Sequence, residues 1–180
     1  NNFLSNKKNE PTEILEFLND RTKLLEQMDR YHRYDNLLKQ QQIIIRKAME
    51  ARSSDDLKVL NEIMENALVQ NFDLATTPEA QFIFYTLRIQ HFNIIGEKEK
   101  LLTEAEQLLS LIKSDAGQKI SVMNRLWTYS QMAQALYFTN QWAKLETCLA
   151  ELKNIKTQST TESIAQFSYY TQLIVPLLDY

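Results

Sequence analysis

The sequence predicts an all-α fold, a stack of seven or eight helices arranged as antiparallel hairpins, and three observations predict it. The 180 residues include only two glycines and three prolines. Tight hairpins, β-bulges and phosphate-cradling loops draw on glycine for left-handed or closely approached backbone, so so glycine-poor a chain leaves them little room. Leu, Gln, Glu, Lys, Ala and Ile are abundant, and apolar positions recur at three and four rather than at two, the period of an amphipathic helix. The chain also repeats itself at about 44 residues, a length suited to stacked helical units.

In chain order, residues 1–33 read as a tail and a leading helix, which starts at Thr12 after Pro11 and runs to about Tyr31. A second helix follows from about residue 34. Ser53-Ser54-Asp55 supplies cap residues for a helix from about Asp56 to Asn71. Thr77-Pro78-Glu79 places a cap, a proline at the first helical position and an acid in the first turn, opening a helix to about Asn93 that Gly96 ends. Ser114-Asp115-Ala116-Gly117 is a further break, and Ser159-Thr160-Thr161-Glu162 has the serine and glutamate of a capping box. Short loops between Ile94 and Ala150 make successive helices antiparallel neighbours.

The self-similarity is visible residue by residue. Phe82, Tyr85, Ile89 and Phe92 return 44 positions later as Leu126, Tyr129, Ala133 and Leu136, and 41 later again as Phe167, Tyr170, Ile174 and Leu177. Leu101, Ala105 and Leu108 likewise return as Leu145, Leu149 and Leu152. Stepping back by 44 reaches Leu38, Ile45, Ala48, Leu57 and Met64, with Gln41 where the tyrosine stands. The repeat units are thus about 34–75, 78–115 and 117–159, with an incomplete 160–180. Its apolar Leu173, Ile174, Leu177 and Leu178 are expected to meet further repeats of a longer protein or a second copy of the chain.

The stretch Ala135-Leu136-Tyr137-Phe138-Thr139-Asn140-Gln141-Trp142-Ala143-Lys144-Leu145-Glu146 resembles the middle of a tetratricopeptide (TPR) unit, and Asn93-Ile94-Ile95-Gly96-Glu97-Lys98-Glu99-Lys100-Leu101 is similar and carries the turn glycine. The resemblance covers roughly 34–180 and implies an α-α superhelix, a TPR-like solenoid, whose concave face binds a protein or peptide. The period differs from the 34 residues of that family, and HEAT or armadillo repeats share periods of about 40–47.

Composition narrows the partners. The net charge is −3 and the pI near 5.5, with Lys and Arg scattered among acids. Nucleic-acid binding through this segment is not expected, because it needs a basic stripe. The longest apolar runs, Ile43–Ile45 and Leu173–Leu178, fall far short of the ~20 residues of a membrane span. Cys148 is the single cysteine and sits beside Leu145, Leu149 and Leu152, where a buried thiol is ordinary. With the sequence opening at Asn1 without an apolar leader, any targeting segment is expected to have been removed or to lie upstream, and the cytoplasm is the expected compartment.

A Gly-rich phosphate loop, Gly-x-Ser-x-Gly, His-Glu-x-x-His and Cys-x-x-Cys do not occur in the sequence. His32 and His91 stand 59 residues apart, and neither has another His or Cys one helical turn away. No catalytic residue, cofactor or metal is therefore expected. By the TPR resemblance, the groove face is formed by Gln42, Arg46, Thr86, Gln90, Asn93, Trp127, Ser130, Gln134, Tyr137 and Thr171. These would hydrogen-bond an extended peptide, with Trp127 and Tyr137 as anchors and Arg46 meeting a carboxylate. A solvated helix face, with Trp127 tucked against a neighbour, is the plainer reading of the same residues. Three functions fit: a non-catalytic peptide-binding scaffold first, then the peptide-sensing half of a bacterial transcriptional regulator whose DNA-binding domain lies outside this chain, then a structural spacer or dimerisation segment.

Overall fold

The computed structural model describes residues 11–50 and 54–178, with side chains described for 13–47 and 55–174. The tail before Pro11, Ser53, and the side chains of Ala48, Leu177 and Leu178 lie outside the described residues. Among the described residues every regular element is helical: α1 (Pro11–Glu50), α2 (Ser54–Glu65), α3 (Ala67–Gln70), α4 (Pro78–Ile95), α5 (Lys98–Lys113), α6 (Val122–Phe138), α7 (Trp142–Lys153) and α8 (Thr160–Leu178). Single 3₁₀ turns occur at Phe72–Leu74 and Ala116–Lys119. No helix of the described residues is long and apolar enough to cross a membrane.

The first part of the chain departs from expectation. α1 is one helix of 40 residues rather than two, because Tyr31-His32-Arg33-Tyr34 contains no glycine or proline to stop it. Asp35, a residue that could cap a new start, instead pairs with Lys39 one turn on at 2.6 Å. Tyr34 is fully buried in mid-helix and donates its hydroxyl to the Leu68 carbonyl at 2.7 Å. α2 ends at Glu65, short of the expected Asn71, because Asn66 recaps the chain by accepting from the Leu68 N–H at 3.0 Å. Asn71 does the same for the next turn through the Asp73 N–H. Leu57, in the first turn of α2, is exposed, and Leu60, Ile63 and Met64 carry the buried face.

From α4 onward the local geometry repeats. Thr77 caps α4 by accepting from the Ala80 N–H at 3.2 Å, and Ser121, 44 residues on, caps α6 through the Asn124 N–H at 3.3 Å. α4 ends at Gly96 with φ 79°, and the Glu97 N–H reaches back to the Phe92 carbonyl at 3.0 Å. The corresponding turn after α6 has Asn140 at φ 56°, with the Gln141 N–H on the Leu136 carbonyl at 2.9 Å. Asparagine tolerates left-handed backbone better than most side chains, so it stands in for the glycine. Gly117 is required for a different reason: a Cβ there would collide with the backbone at Leu111 and Ile112.

Successive helices pack in opposite directions. Arg88 of α4 meets Glu104 of α5 at 2.6 Å, while Lys100 near the start of α5 lies over Phe92 near the end of α4. Lys98 over Phe138 and Lys113 over Tyr129 show the same reversal between α5 and α6. Tyr137 against Trp142, and Cys148 Sγ 3.5 Å from the Tyr129 carbonyl, show it between α6 and α7. α1 also lies on α4, where Gln41 Nε2 donates to the Leu87 carbonyl at 2.9 Å, and α6 lies on α8. One core runs through these helices, with Leu87, Leu101, Leu108, Leu126, Leu136 and Leu152 almost wholly buried.

Candidate functional site

α6, α7 and α8 enclose a half-open cavity of about 280 Å³. Its apolar floor is Ala133, Phe138, Leu145 and Leu173; the amides of Gln131, Gln134 and Gln172 and the hydroxyls of Ser130, Tyr137 and Tyr169 surround it. No charged side chain lines it. Cavities of this kind, mostly apolar with a few convergent polar groups, are where proteins take up small ligands or side chains.

Local structure fixes the walls. α8 is held against the end of α7 by Gln166, whose Nε2 donates to the carbonyls of Leu152 and Ile155 at 2.8 and 2.9 Å. Carbonyls at a helix end lack partners of their own, so one side-chain amide satisfies two of them and sets the angle of the next helix. The capping box forms as expected: Glu162 Oε2 accepts from the Gln158 and Ser159 N–H groups, and Ser159 Oγ from the Glu162 N–H. On the wall itself, Gln172 Nε2 bonds Ser168 Oγ at 3.1 Å, and the Tyr137 ring meets Trp142 edge-on at 5.7 Å. Trp142 is exposed and so stands outside the cavity beside Tyr137.

Of the groove residues inferred by resemblance, Ser130, Gln134 and Tyr137 come together here. The others do not line this cavity. Gln42 is half-buried and Arg46 exposed on α1; Gln90 and Asn93 are half-buried near the end of α4. Thr86 is buried and donates to the Phe82 carbonyl at 2.8 Å, and Thr171 donates to the Phe167 carbonyl at 2.9 Å. Ser130 donates to the Trp127 carbonyl at 2.7 Å. The uncharged column of Thr86, Ser130 and Thr171 is therefore a column of back-bonds to its own helices, the ordinary outlet for a hydroxyl on a helix. Trp127 is half-buried with its ring edge-on to Phe82 at 5.9 Å, a contact between α6 and α4.

Gln131, Tyr169, Gln172 and Leu173 were missed. Gln131 and Gln172 share one position of the aligned segments, 41 residues apart, and that recurrence was the available signal. The earlier segment has Leu87 there, fully buried, which marked the position as core.

Two side chains of reactive type are buried, and their surroundings shift the pKa of both. The Cys148 thiol is buried and pushed up to about 12, chiefly by burial and further by Glu151, so the thiolate is scarce at neutral pH. His91 is buried beside Arg88 and Lys100; burial first, then those charges, lowers its pKa from the ordinary 6.5. Among the described residues no group of three or more His, Cys, Asp or Glu could hold a metal ion.

What the fold and cavity define is a class, an all-α chain with an uncharged recess between its last three helices. Comparisons of the chain with family models, curated proteins and solved structures return no match.

Proposed function

We propose that the chain is a TPR-like solenoid module that binds an uncharged stretch of protein or peptide in the cavity between α6 and α8. The observation that carries this reading is the lining itself. Three amides and three hydroxyls around an apolar floor match a peptide backbone and one apolar side chain, and they offer no cation to pair with a phosphate or carboxylate. The solenoid is supported by the caps and turns that recur at 44 residues and by the reversal of successive helices from α4 to α7. In such stacks the first helix of each unit lines the binding face, and α6 and α8 are first helices of adjacent units.

The test selects binders from a displayed library of random peptides and measures their affinity by fluorescence polarisation. Uncharged sequences should be enriched. Gln134→Ala combined with Gln172→Ala should weaken them at least about tenfold, the equivalent of ~1.4 kcal/mol, while Gln42→Ala leaves affinity unchanged. Binding that ignores the paired glutamine change but responds to Gln42 would move the site away from α6 and α8.

A further inference from the structure

The largest bare apolar surface of the described residues is on the first half of α1, not in the cavity. Ile14, Leu15, Phe17, Leu18, Leu24, Leu25 and Met28 are each 45 to 69% exposed. Every side chain from Glu13 to Glu26 is exposed, so this half of the helix touches no other element closely, whereas Tyr34 onward is packed. Turning 100° per residue, these apolar side chains fall on one side of the helix, and Glu13, Glu16, Asn19, Asp20, Lys23, Glu26, Gln27 and Arg30 fall on the other. Ile14, Leu18, Arg21, Leu25 and Met28 follow one another at intervals of four, three, four and three, the spacing of helices that pair along their length.

We propose that this face is a self-association surface on which a second copy of the chain lays its own α1 antiparallel. Seven large side chains about half bare offer on the order of 700 Å² per chain, close to the ~800 Å² that each partner buries in a stable interface and beyond a typical monomer's largest patch. Charge selects the direction. Pro11–Asp20 carries three acids and no base, and Arg21–Arg33 carries four bases and two acids, so antiparallel copies set the acidic stretch of each beside the basic stretch of the other. Centred near Arg21 and Thr22, the arrangement brings Leu18 of one copy opposite Leu25 of the other and Leu15 opposite Met28. The end of the face at Met28 and Tyr31 opens into a hollow of about 390 Å³ beside Thr77 and Glu79, where the start of the second α1 fits. A lipid surface is a poorer occupant, because the polar side has four acids against two bases, and helices that lie on membranes present Lys and Arg there. An isolated helical stretch of about 12–15 residues without a packed face is marginal in water, and pairing supplies that face.

Sedimentation velocity of the full chain over a hundredfold dilution tests this. The expected result is a dimer that dissociates on dilution and is lost in Leu18→Glu with Leu25→Glu, while Ile164→Glu with Phe167→Glu on the exposed side of α8 leaves it intact. Both leucines are already bare in the single chain, so the main thermal transition should stay within a few degrees. Chains carrying Leu15→Cys and Met28→Cys should form a disulfide when mixed, and neither should form one alone. A monomer at every concentration, a dimer that survives the leucine changes or falls to the α8 changes, self-crosslinking by Leu15→Cys alone, or a monomer that co-floats with lipid vesicles would each overturn the proposal.

Discussion

His91 is buried near Arg88 and Lys100, and burial first, then those charges, favour its neutral form. The unfolded chain takes up a proton at this residue near pH 6.5, whereas the folded chain resists until the pH is lower. Stability contributed by the neutral ring is therefore complete above 6.5 and is lost as the pH falls from there through the lowered folded value. Urea unfolding midpoints should drop between pH 7.5 and pH 5, and His91→Gln should flatten that drop. An unchanged pH dependence in the variant would place the acid sensitivity elsewhere. Cys148 gives an independent test of burial in the next repeat. Its thiol, raised from 9.0 to about 12, should react with a disulfide reagent at pH 8 far more slowly in the native chain than in denaturant. Equal rates in the two states would contradict the packing of α7 on α6.

Between elements, the repeat allows a substitution experiment that the chain has already performed on itself. Arg88 and Glu104 join α4 to α5 through a pair at 2.6 Å, with Arg88 also over the Phe84 and Phe92 rings. The corresponding positions 44 residues on are Met132 and Cys148, both buried. Removing Glu104 strands a charge that is only partly buried, with the Arg88 side chain 23% exposed, so Glu104→Ala should cost about 1–3 kcal/mol, whereas Arg88→Met with Glu104→Cys should recover most of it. Thermal unfolding of the three proteins checks both halves. The turns offer a second comparison: Asn140→Gly should stabilise by up to about 1 kcal/mol by relieving left-handed strain, and Gly96→Ala should destabilise by at least as much.

These elements also show what could be read beforehand. Thr77, Ser159 and Glu162 act through bonds to backbone within a few residues, and Pro78 and Gly96 through their own backbone angles, so their roles were visible in the sequence. The unbroken α1 and the interrupted α2 were not, since each depends on whether Asp35, Asn66 or Asn71 bonds a side chain or a backbone N–H. The cavity was half visible for a related reason. Ser130, Gln134 and Tyr137 follow from position on α6, whereas Gln131 and Gln172 face it because of how α8 crosses α6, and an aligned Leu87 in the core concealed that.

At the scale of the whole molecule, most of the packing is between near neighbours in the chain, so stability should vary along it rather than be shared evenly. The almost wholly buried leucines are concentrated in α4 to α7, at Leu87, Leu101, Leu108, Leu126, Leu136 and Leu152, with coverage from both sides. α8 is covered on the α6 and α7 side only, leaving Ile164 and Phe167 bare, and every side chain of α1 from Glu13 to Glu26 is exposed. Where an element packs mainly on its neighbours in the chain, its opening free energy follows those interfaces, so the ends open locally while the middle opens with the whole. Amide hydrogen exchange of the dilute chain should be slowest in α4 to α6, faster in α8 and fastest between Glu13 and Glu26. A peptide bound in the cavity should slow α8 and leave α1 unchanged, because it joins α8 to α6 without touching the N-terminal half. Uniform protection from α1 to α8 would mean that the chain opens as a single cooperative unit, and the nearest-neighbour account of the stack would fail.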